Sequence, residues 1–382
     1  MEVGVQAFNY HLLTHYDYDI AIIGGGLAGT SLAILCARSG WSVALIEKET
    51  YPRHKVCGEY ISMESYDFLQ DLGLPLEEMN LPHINTFRLT SWQNIAGQCK
   101  LTKGGIGISR YVLDKSLADL AVKEGATLLT GEKVTHIGFD QQAYHVTMQS
   151  KKSMKVRLVV GAYGRHSGLQ HSNSSPLNNF IGVKYHVTQG PDDDTIEIHH
   201  FKDGYCGISK IEDEKYCMCY LVRAGAFKPF KGNIPDFEAA TLAANPYLKP
   251  YLEAKRLTPP VTTSGLVFRA NTDVKLPYPI TGDAAGFIPP VTGNGMSLAF
   301  RSAKHVYQLI DEHLSKGRKD IILRHNKKYI SRYLSHRIQK GIFLQDILLT
   351  KNERLSRILL NTATRMPGGL KMLSLQAVGD DI

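Results

Sequence analysis

The sequence predicts an α/β fold with more than one domain, and three observations support this prediction. The chain has 382 residues, which is more than one hydrophobic core usually holds. The mainly aliphatic segment DIAII at 19–23 precedes three glycines and a helical pattern at 30–39, as in a strand–turn–helix unit. Short alternating segments at 126–160 and 172–270 predict β-strands, and the chain after 316 has a helical pattern.

The composition is typical of a globular protein from a reducing compartment. Apolar residues make up 43% of the chain, which is an ordinary share. The six cysteines include no C-x-x-C pair and do not form a disulfide framework in a chain of this length. Residues 1–19 lack the basic and apolar regions of a signal peptide, and glycines interrupt the uncharged stretch 20–37. We therefore expect a cytoplasmic protein.

The basic charge is concentrated at the C-terminal end. The net charge is +8, and from Arg301 onward there are 16 Lys and Arg residues against 7 Asp and Glu residues. This segment either meets an anionic partner, such as anionic lipid at a membrane surface or an acidic carrier protein, or it forms a solvated helical bundle. It contains no known nucleic-acid-binding module, so no nucleic-acid partner is expected.

The segment GGGLAG at 24–29 fits the G-x-G-x-x-G pattern of a dinucleotide-binding turn. The first glycine permits a tight turn, the second lets a pyrophosphate approach the backbone, and the third lets the helix pack on the strand. The helix N-terminus offers free N–H groups to phosphates, and the acid that ends the second strand is placed to bind the adenosine ribose. The residues predicted to contact the nucleotide here are Gly24, Gly26, Ala28, Gly29 and Glu47. A glycine-rich turn of another α/β fold is the alternative, and the motif alone does not distinguish FAD from NAD.

A second motif distinguishes the two cofactors. Residues 278–303, YPITGDAAGFIPPVTGNGMSLAFRSA, consist of an extended segment, a Gly-Asp pair, a Gly/Pro loop and the start of a helix. This stretch resembles the second flavin motif of the para-hydroxybenzoate hydroxylase-like superfamily of FAD-dependent oxidoreductases. The resemblance implies that the aspartate binds the ribityl chain and that the amides before the helix face the flavin pyrimidine ring. The residues in those places are Asp283, Gly293, Asn294, Gly295 and Met296.

A third motif, ISRYVLDKSLADLAVKEGA at 108–126, resembles the arginine-led helix of the same superfamily. The resemblance implies that Arg110 contacts the flavin or its phosphates and that the backbone at Val134 lies near the adenine. The superfamily usually has G-A-D-G followed by a serine and an arginine, whereas residues 161–167 have Tyr163 in place of the aspartate. That region often assists reduction by a nicotinamide cofactor, so NAD(P)H is only one candidate for the external reductant.

The segment PRHKVCGEYIS at 52–62 places a cysteine after the second strand. A Cys-Gly pair at this place resembles the geranylgeranyl reductase branch of the superfamily, which carries its cysteine near the flavin ring. The resemblance implies that Cys57 and Gly58 line the flavin, with Arg53 or Lys55 near phosphate. Cys57 is the candidate catalytic residue, either as a proton donor or as a steric and redox modulator of the flavin. The alternative is a small residue that packs against FAD.

Three neighbouring features have weaker patterns. Glu59 acts as an acid or base, or pairs with Arg53 or Lys55, and we expect the pairing. Cys217 and Cys219 alternate in a strand-like run, so both thiols are expected to face one side. No ligand spacing supports a metal site, and no metal is expected.

The motifs divide the chain into segments that define the predicted fold. The fold is a Rossmann-like FAD-binding domain of the para-hydroxybenzoate hydroxylase type with an antiparallel β-sheet substrate domain and a helical C-terminal segment. The FAD-binding domain comprises residues 17–171 and 265–315, the substrate domain 172–264, and the helical segment 316–382. The substrate region at 204–221 lacks both the Tyr-x-Trp-x-Phe-Pro stretch of the geranylgeranyl reductase branch and the W-x-W-x-I-P signature of the flavin-dependent halogenases.

Together these motifs predict an FAD-dependent oxidoreductase. The first interpretation is a geranylgeranyl reductase-like enzyme that acts on a large apolar small molecule, such as an isoprenoid or polyketide-like substrate, presented free, in lipid or on a carrier. The second is a flavin monooxygenase that hydroxylates an aromatic or quinone-like substrate. The third is an electron-transfer flavoprotein that docks a partner through its basic end.

Overall fold

A computed structural model describes residues 15–140, 142–165, 169, 179–272, 275–350, 352–365, 369–370 and 382. His166 and Ser167 of the altered G-A-D-G motif, and residues 371–381 of the C-terminal segment, lie outside the described residues. The strands are β1 (Tyr18–Ile23), β2 (Val43–Glu47), β3 (Tyr60–Ser62), β4 (His83–Ser91), β5 (Ile95–Gly107), β6 (Thr127–Thr130), β7 (Val134–Phe139), β8 (Tyr144–Met148), β9 (Ser153–Gly161), β10 (Phe180–Val187), β11 (Thr195–Phe201), β12 (Gly204–Ile211), β13 (Lys215–Arg223), β14 (Val261–Leu266), β15 (Arg269–Ala270) and β16 (Gly286–Phe287). The helices are α1 (Leu27–Arg38), α2 (Tyr66–Asp71), α3 (Arg110–Lys123), α4 (Ala224–Phe227), α5 (Ile234–Thr241), α6 (Lys249–Leu252), α7 (Gly295–His313), α8 (Lys319–Tyr329), α9 (Ser335–Leu348) and α10 (Glu353–Arg365).

The smaller of the two main sheets has six strands in the order β6-β2-β1-β9-β8-β7. The first four strands of this order are mutually parallel, whereas β7 and β8 form an antiparallel extension. Helix α1 packs against α3 and α7, and its apolar residues join β1 and β2 in the largest hydrophobic core. Because parallel strands end at one edge of a sheet, the loops after β1, β2, β6 and β9 lie side by side.

The larger sheet has eight strands in the order β14-β10-β13-β12-β11-β4-β5-β3. All its pairs are antiparallel except β4 and β11, which run parallel. Three of its strands, β3 to β5, come from residues 60–107, within the part of the sequence assigned above to the FAD-binding domain. The domain division therefore stays a prediction, while the predicted α/β class with an antiparallel sheet and C-terminal helices is confirmed.

The two faces of the larger sheet have different environments. On one face, Tyr185 of β10 belongs to an aromatic core that also includes residues of α4 to α6. On the other face, the pairing of β10 with β13 sets Lys184 opposite Cys219 and His186 opposite Cys217. Directly paired residues of antiparallel strands share a face, so the two thiols and the two basic side chains point the same way.

The helical C-terminal segment packs over part of that second face. Helix α8 continues through a π-helical turn, Ile330–Leu334, into α9, and α10 packs on β5. A third hydrophobic cluster joins Leu348, Leu360 and residues of β4, β12, β13 and β14. Among the described residues, no helix has both the length and the apolar character needed to cross a bilayer.

Candidate cofactor and active site

The glycine turn after β1 requires glycine at two positions. Gly24 has φ +110°, and a Cβ added there would overlap the Ala162 carbonyl oxygen at the end of β9. A Cβ on Gly29 would overlap the Gly24 carbonyl oxygen, so the first turn of α1 lies directly on the strand end. Gly26 is open on its outer side, where the nearest atom to an added Cβ is the Lys55 Nζ at 3.6 Å. The turn is therefore tight on the sheet side and exposed beside a cation on the other.

Glu47 ends β2 and closes this turn. Its Oε2 accepts a hydrogen bond from Gly25 N at 2.7 Å and lies 2.9 Å from the Arg53 guanidinium. Burial opposes ionisation of Glu47, but the charges of Arg53 and Lys55 and a hydrogen bond from Glu49 N keep its pKa below the usual value. Glu47 is thus a buried carboxylate whose position is fixed by the glycine turn.

Three cations surround the open side of the turn. The Nε and Nη1 atoms of Arg53 are buried and have no hydrogen-bond partner among the described residues. Arg110 forms two hydrogen bonds with Asp114, at 2.6 and 2.9 Å, and the Lys55 Nζ lies 3.2 Å from the same carboxylate. Unpaired buried guanidinium N–H groups are costly, so an anion such as a dinucleotide diphosphate fits beside Arg53.

The backbone just before Val134 lies at the same edge of the sheet. Glu132 N donates to the Glu47 carbonyl oxygen at 3.1 Å, and Gly131 N donates to the Glu49 carbonyl oxygen at 3.5 Å. These bonds hold the connection between β6 and β7 against the end of β2. Val134 itself begins β7, with its side chain buried in the main core.

The second motif joins the first through the backbone. Gly161, at the end of β9, exchanges hydrogen bonds with Pro279 and Thr281, each at 2.9 Å. Gly282 follows with φ +61°, and a Cβ added to it would lie 2.9 Å from the Cβ of Ala28 on α1. The Gly-Asp pair is therefore in contact with the helix that follows the glycine turn.

Asp283 projects into the region between the two motifs. Burial raises its pKa, although the charges of Arg165, Arg110 and Lys55 favour the ionised form. Arg165 lies over the Phe287 ring at 4.7 Å, donates to the Thr263 hydroxyl and keeps one buried nitrogen without a partner among the described residues. The sequence assigned no role to Arg165, because the tyrosine in the altered G-A-D-G motif obscured that segment.

The N-terminal end of α7 completes this side of the site. Gly293 has φ +67°, and a Cβ added to Gly295 would meet only Ile288, at 3.8 Å. The Nδ2 atom of Asn294 is buried and has no hydrogen-bond partner among the described residues. Free N–H groups at a helix N-terminus and an unpaired amide suit the oxygen and nitrogen edge of a flavin ring.

Cys57 lies against this helix start. Its Sγ is 3.7 Å from the Sδ of Met296 in the first turn of α7. Burial raises the pKa of the thiol, although the charge of Arg110 acts in the opposite direction. The adjacent Gly58 is exposed, and a Cβ added to it would meet no atom within 4 Å. The structure thus brings Cys57 into contact with the second motif at Met296, 239 residues further along the chain.

The expected pairing of Glu59 with Arg53 or Lys55 is wrong. The Oε1 of Glu59 accepts from the Lys184 Nζ at 2.8 Å and from Arg110 N at 2.7 Å, and its Oε2 accepts from His186 Nε2 at 2.7 Å. Glu59 has φ +56°, which turns its side chain toward the larger sheet. No local sequence pattern signals this contact, because Lys184 and His186 lie 125 and 127 residues further along the chain.

One trio of ligand types lies together among the described residues. A carboxylate oxygen of Glu59, a ring nitrogen of His186 and the Sγ of Cys217 are within 4.8 Å of one another. The Lys184 ammonium already lies on the Glu59 carboxylate at 2.8 Å, and a second cation would be repelled there. We therefore treat this trio as part of a hydrogen-bonded network.

The sequence comparisons match the first part of this site to a known domain. Residues 17–189 match the sequence family described as "FAD binding domain". The chain is 27% identical over 320 residues to conditioned medium factor receptor 1 of Dictyostelium discoideum. The aligned region covers 75% of this chain and 62% of that protein. It is 26% identical to the chloroplastic geranylgeranyl diphosphate reductase of Arabidopsis thaliana, covering 84% of this chain and 71% of that one. It is 22% identical to the squalene monooxygenase of Mus musculus, covering 78% and 55%.

Solved structures share the fold along almost the whole chain. A geranylgeranyl bacteriochlorophyll reductase-like protein from Thermoplasma acidophilum superposes with a TM-score of 0.75 at 17% identity, covering 95% of this chain and 96% of that one. A flavin-dependent brominase also superposes with a TM-score of 0.75, at 18% identity and 94% and 93% coverage.

Residues 17–189 therefore form an FAD-binding domain, and the chain is an FAD-dependent oxidoreductase. The proteins to which it is similar include geranylgeranyl reductases as well as monooxygenases. The predicted cofactor, FAD, is confirmed.

Proposed function

We propose that this protein is a reductase that transfers a hydride from reduced FAD to a large apolar substrate, with Cys57 as the proton donor. The observation that carries the proposal is the contact of the Cys57 Sγ with Met296, at the helix start that suits the flavin ring. The relatives named as geranylgeranyl reductases and the likeness in fold to a reductase-like protein support the same interpretation.

The proposed cofactor site follows the edge where the parallel strands end. The diphosphate lies by the glycine turn, at Gly24, Gly26, Ala28 and Gly29, and the adenosine lies by Glu47 and Val134. The phosphates and flavin are contacted by Arg53, Lys55 and Arg110, and the ribityl chain is contacted by Asp283. The residues that line the flavin ring are Gly293, Asn294, Gly295, Met296, Cys57 and Gly58. The unpaired buried nitrogens of Arg53 and Asn294 support this assignment, because each lacks a partner that the cofactor can supply.

The chemistry at Cys57 is proton donation to a substrate carbon. When bound and reduced, FAD supplies the hydride for one end of a carbon–carbon double bond. The thiol hydrogen goes to the other end, so the substrate gains two hydrogen atoms and the sulfur becomes a thiolate that solvent must reprotonate. Because burial raises the pKa of Cys57, the thiol is protonated at neutral pH, as a donor must be.

An apolar layer next to this site supports an apolar substrate. Tyr205, Leu221 and Leu266 lie on the larger sheet and pack with Leu348 and Leu360 of the C-terminal helices. Tyr205 and Leu221 share their sheet face with Cys219, beside the segment that carries Cys57. Displacing side chains of α9 or α10 from this layer would give a large apolar molecule access to the flavin side of the sheet.

A monooxygenase is the second candidate, because relatives of similar identity are named kynurenine 3-monooxygenase and squalene monooxygenase. The two candidates share the cofactor site and differ in whether oxygen reaches reduced flavin before substrate does. An electron-transfer role is the third, and it requires a protein acceptor.

One experiment separates the three candidates. The purified flavoprotein is reduced without oxygen by NAD(P)H or dithionite and mixed with a polyprenyl lipid, and the lipid is analysed by mass spectrometry. We expect anaerobic flavin oxidation with a gain of two hydrogen atoms per double bond. Product that forms only in air and contains an atom of labelled oxygen would establish the monooxygenase instead. Flavin that no small molecule reoxidises, but a protein partner does, would establish the carrier.

A further inference from the structure

A buried charged cluster lies beside Cys57 and has no part in the proton transfer described above. Lys184, Glu59 and His186 are each less than 5% exposed. The Glu59 carboxylate accepts a hydrogen bond from Lys184 at 2.8 Å and one from His186 at 2.7 Å. Buried charges are costly unless they are paired. A cluster of this kind next to a reactive thiol therefore calls for a specific role.

The cluster is connected directly to Cys57. Glu59 N donates to the Cys57 Sγ at 3.5 Å, a contact that depends on the left-handed backbone of Glu59 at φ +56°. On the other side, the Cys217 thiol donates to the Cys57 carbonyl oxygen at 3.3 Å. The Glu59 carboxylate also accepts from Arg110 N, the first N–H of α3. Three elements, β10, β13 and α3, therefore fix the cysteine segment through Glu59 and Cys217.

We propose that Glu59 and Lys184 are positioning residues, which hold the Cys57 thiol at the flavin side of the site and balance its ease of ionisation with opposite charges. This inference deepens the proposed role of Cys57 and rests on it. Lys184 stabilises a thiolate by attraction, and Glu59 opposes it by repulsion. The two charges therefore act in opposite directions on the loss and the recovery of the thiol proton.

The surroundings of Cys57 agree with a balance of this kind. The charged groups that act on the Cys57 thiol are Glu59 in its own segment, Arg110 on α3 and Lys184 on β10, and the thiols of Cys217 and Cys219 on β13 lie beside them. His186 contacts Glu59, and His54 contacts Lys184. Arg110 and Lys184 favour the thiolate, and Glu59 disfavours it. Arg110 is hydrogen-bonded to Asp114, which offsets its charge. Substitutions of Lys184 and Glu59 are therefore expected to have the larger effect on the ionisation of Cys57.

The test measures the ionisation of Cys57 directly. The purified flavoprotein is alkylated with iodoacetamide across a range of pH, and the modified Cys57 peptide is quantified by mass spectrometry, which gives the midpoint of thiolate formation. A charge within about 4–6 Å of a titratable group shifts its pKa by about one unit or more. We expect Lys184→Met to raise the midpoint by about one unit, Glu59→Gln to lower it by about one unit, and the double variant to return it near the wild-type value.

Controls separate this balance from a general disturbance of the fold. Lys184→Arg keeps the charge and should restore the midpoint. Lys210→Met removes a lysine of the same sheet that is paired with Asp193 and Glu214 instead, and it should leave Cys57 unchanged. Midpoints that stay constant, or that move in the same direction in Lys184→Met and Glu59→Gln, would overturn the proposal. If Glu59→Gln gives no folded protein, the Lys184→Met and Lys184→Arg pair decides alone.

The proposed function can fail without this inference failing. If the two variants shift the midpoint in opposite directions while Cys57→Ser keeps full turnover, the charge balance stands and proton donation by Cys57 is rejected. If the midpoints do not move, the balance is rejected whatever the turnover of Cys57→Ser.

Discussion

At the scale of single residues, Cys57 gives the sharpest test of the proposed chemistry. Cys57→Ser keeps the size of the side chain but replaces the thiol with a far weaker acid, and Cys57→Ala removes the donor. If the thiol donates the proton in a slow step, steady-state turnover should fall by about two to four powers of ten in both variants. Flavin reduction, followed by stopped-flow absorbance, should stay near the wild-type rate.

Two other outcomes would reject the donor role. Turnover within about tenfold of wild type, or about 1.4 kcal/mol of barrier, would mean that Cys57 only packs. A loss of flavin reduction together with turnover would mean that the substitution displaced the cofactor.

The residues near Cys57 also show what a sequence can and cannot predict. Local motifs predicted the positions of Gly24, Gly29 and Glu47, because their roles depend on neighbours within one strand–turn–helix unit. The partners of Glu59 could not be predicted in this way, since Lys184 lies 125 residues further along the chain. From the strand pattern alone, a lysine is predicted to face solvent, and its burial can be predicted only when its ionic partner is known.

At the scale of elements, the packing of α1 on β1 depends on one glycine. In Gly29→Ala the added methyl group overlaps the Gly24 carbonyl oxygen. Removing this overlap requires a shift of α1, whose N-terminal N–H groups face the cofactor in the proposed site. We expect a loss of about 1–3 kcal/mol in the free energy of unfolding by urea and weaker retention of FAD on gel filtration. Gly225→Ala on α4 is the matched control, because no atom lies within 4 Å of its added Cβ.

The control should be neutral or slightly stabilising, since alanine favours a helix more than glycine does. A Gly29→Ala variant as stable as wild type, with its full content of FAD, would show that the turn accommodates a Cβ at this position and would contradict the prediction.

The composition of the sheets marks the limit of element prediction. The period of hydrophobicity predicted strands within residues 172–270, and β10 to β14 are there, although α4 to α6 interrupt them between β13 and β14. It gave no sign that β3 to β5 pair into the same sheet, because alternation shows which face of a strand is buried and not which strand lies beside it. The parallel contact between β4 and β11 is the step that joins the two parts of the chain.

At the scale of the whole molecule, the charge asymmetry coincides with exposed apolar side chains. Phe343 on α9 is 63% exposed, and Leu355 and Ile358 on α10 are 44% and 61% exposed. Arg354 and Arg357 are exposed on the same helix. Exposed apolar groups among cations are the pattern of a surface that lies on an anionic bilayer, and we propose that this end of the protein takes its substrate from lipid.

This proposal predicts two different losses of membrane binding. Lys327, Lys328 and Arg332 are exposed on the continuous helix that precedes α9, so their replacement by Gln should weaken sedimentation with anionic liposomes and reduce its dependence on salt. Replacing Leu355 and Ile358 by Ser should weaken binding at every salt concentration, because the apolar contribution is not screened.

Val122→Ser, at a 50% exposed position on α3, is the matched control and should bind as wild type does. All variants should keep the flavin spectrum, since none of these residues belongs to the proposed cofactor site. Wild-type protein that binds an acidic carrier protein but no liposome at low salt would identify the carrier as the anionic partner, and binding to neither would mean that the basic end is a solvated bundle.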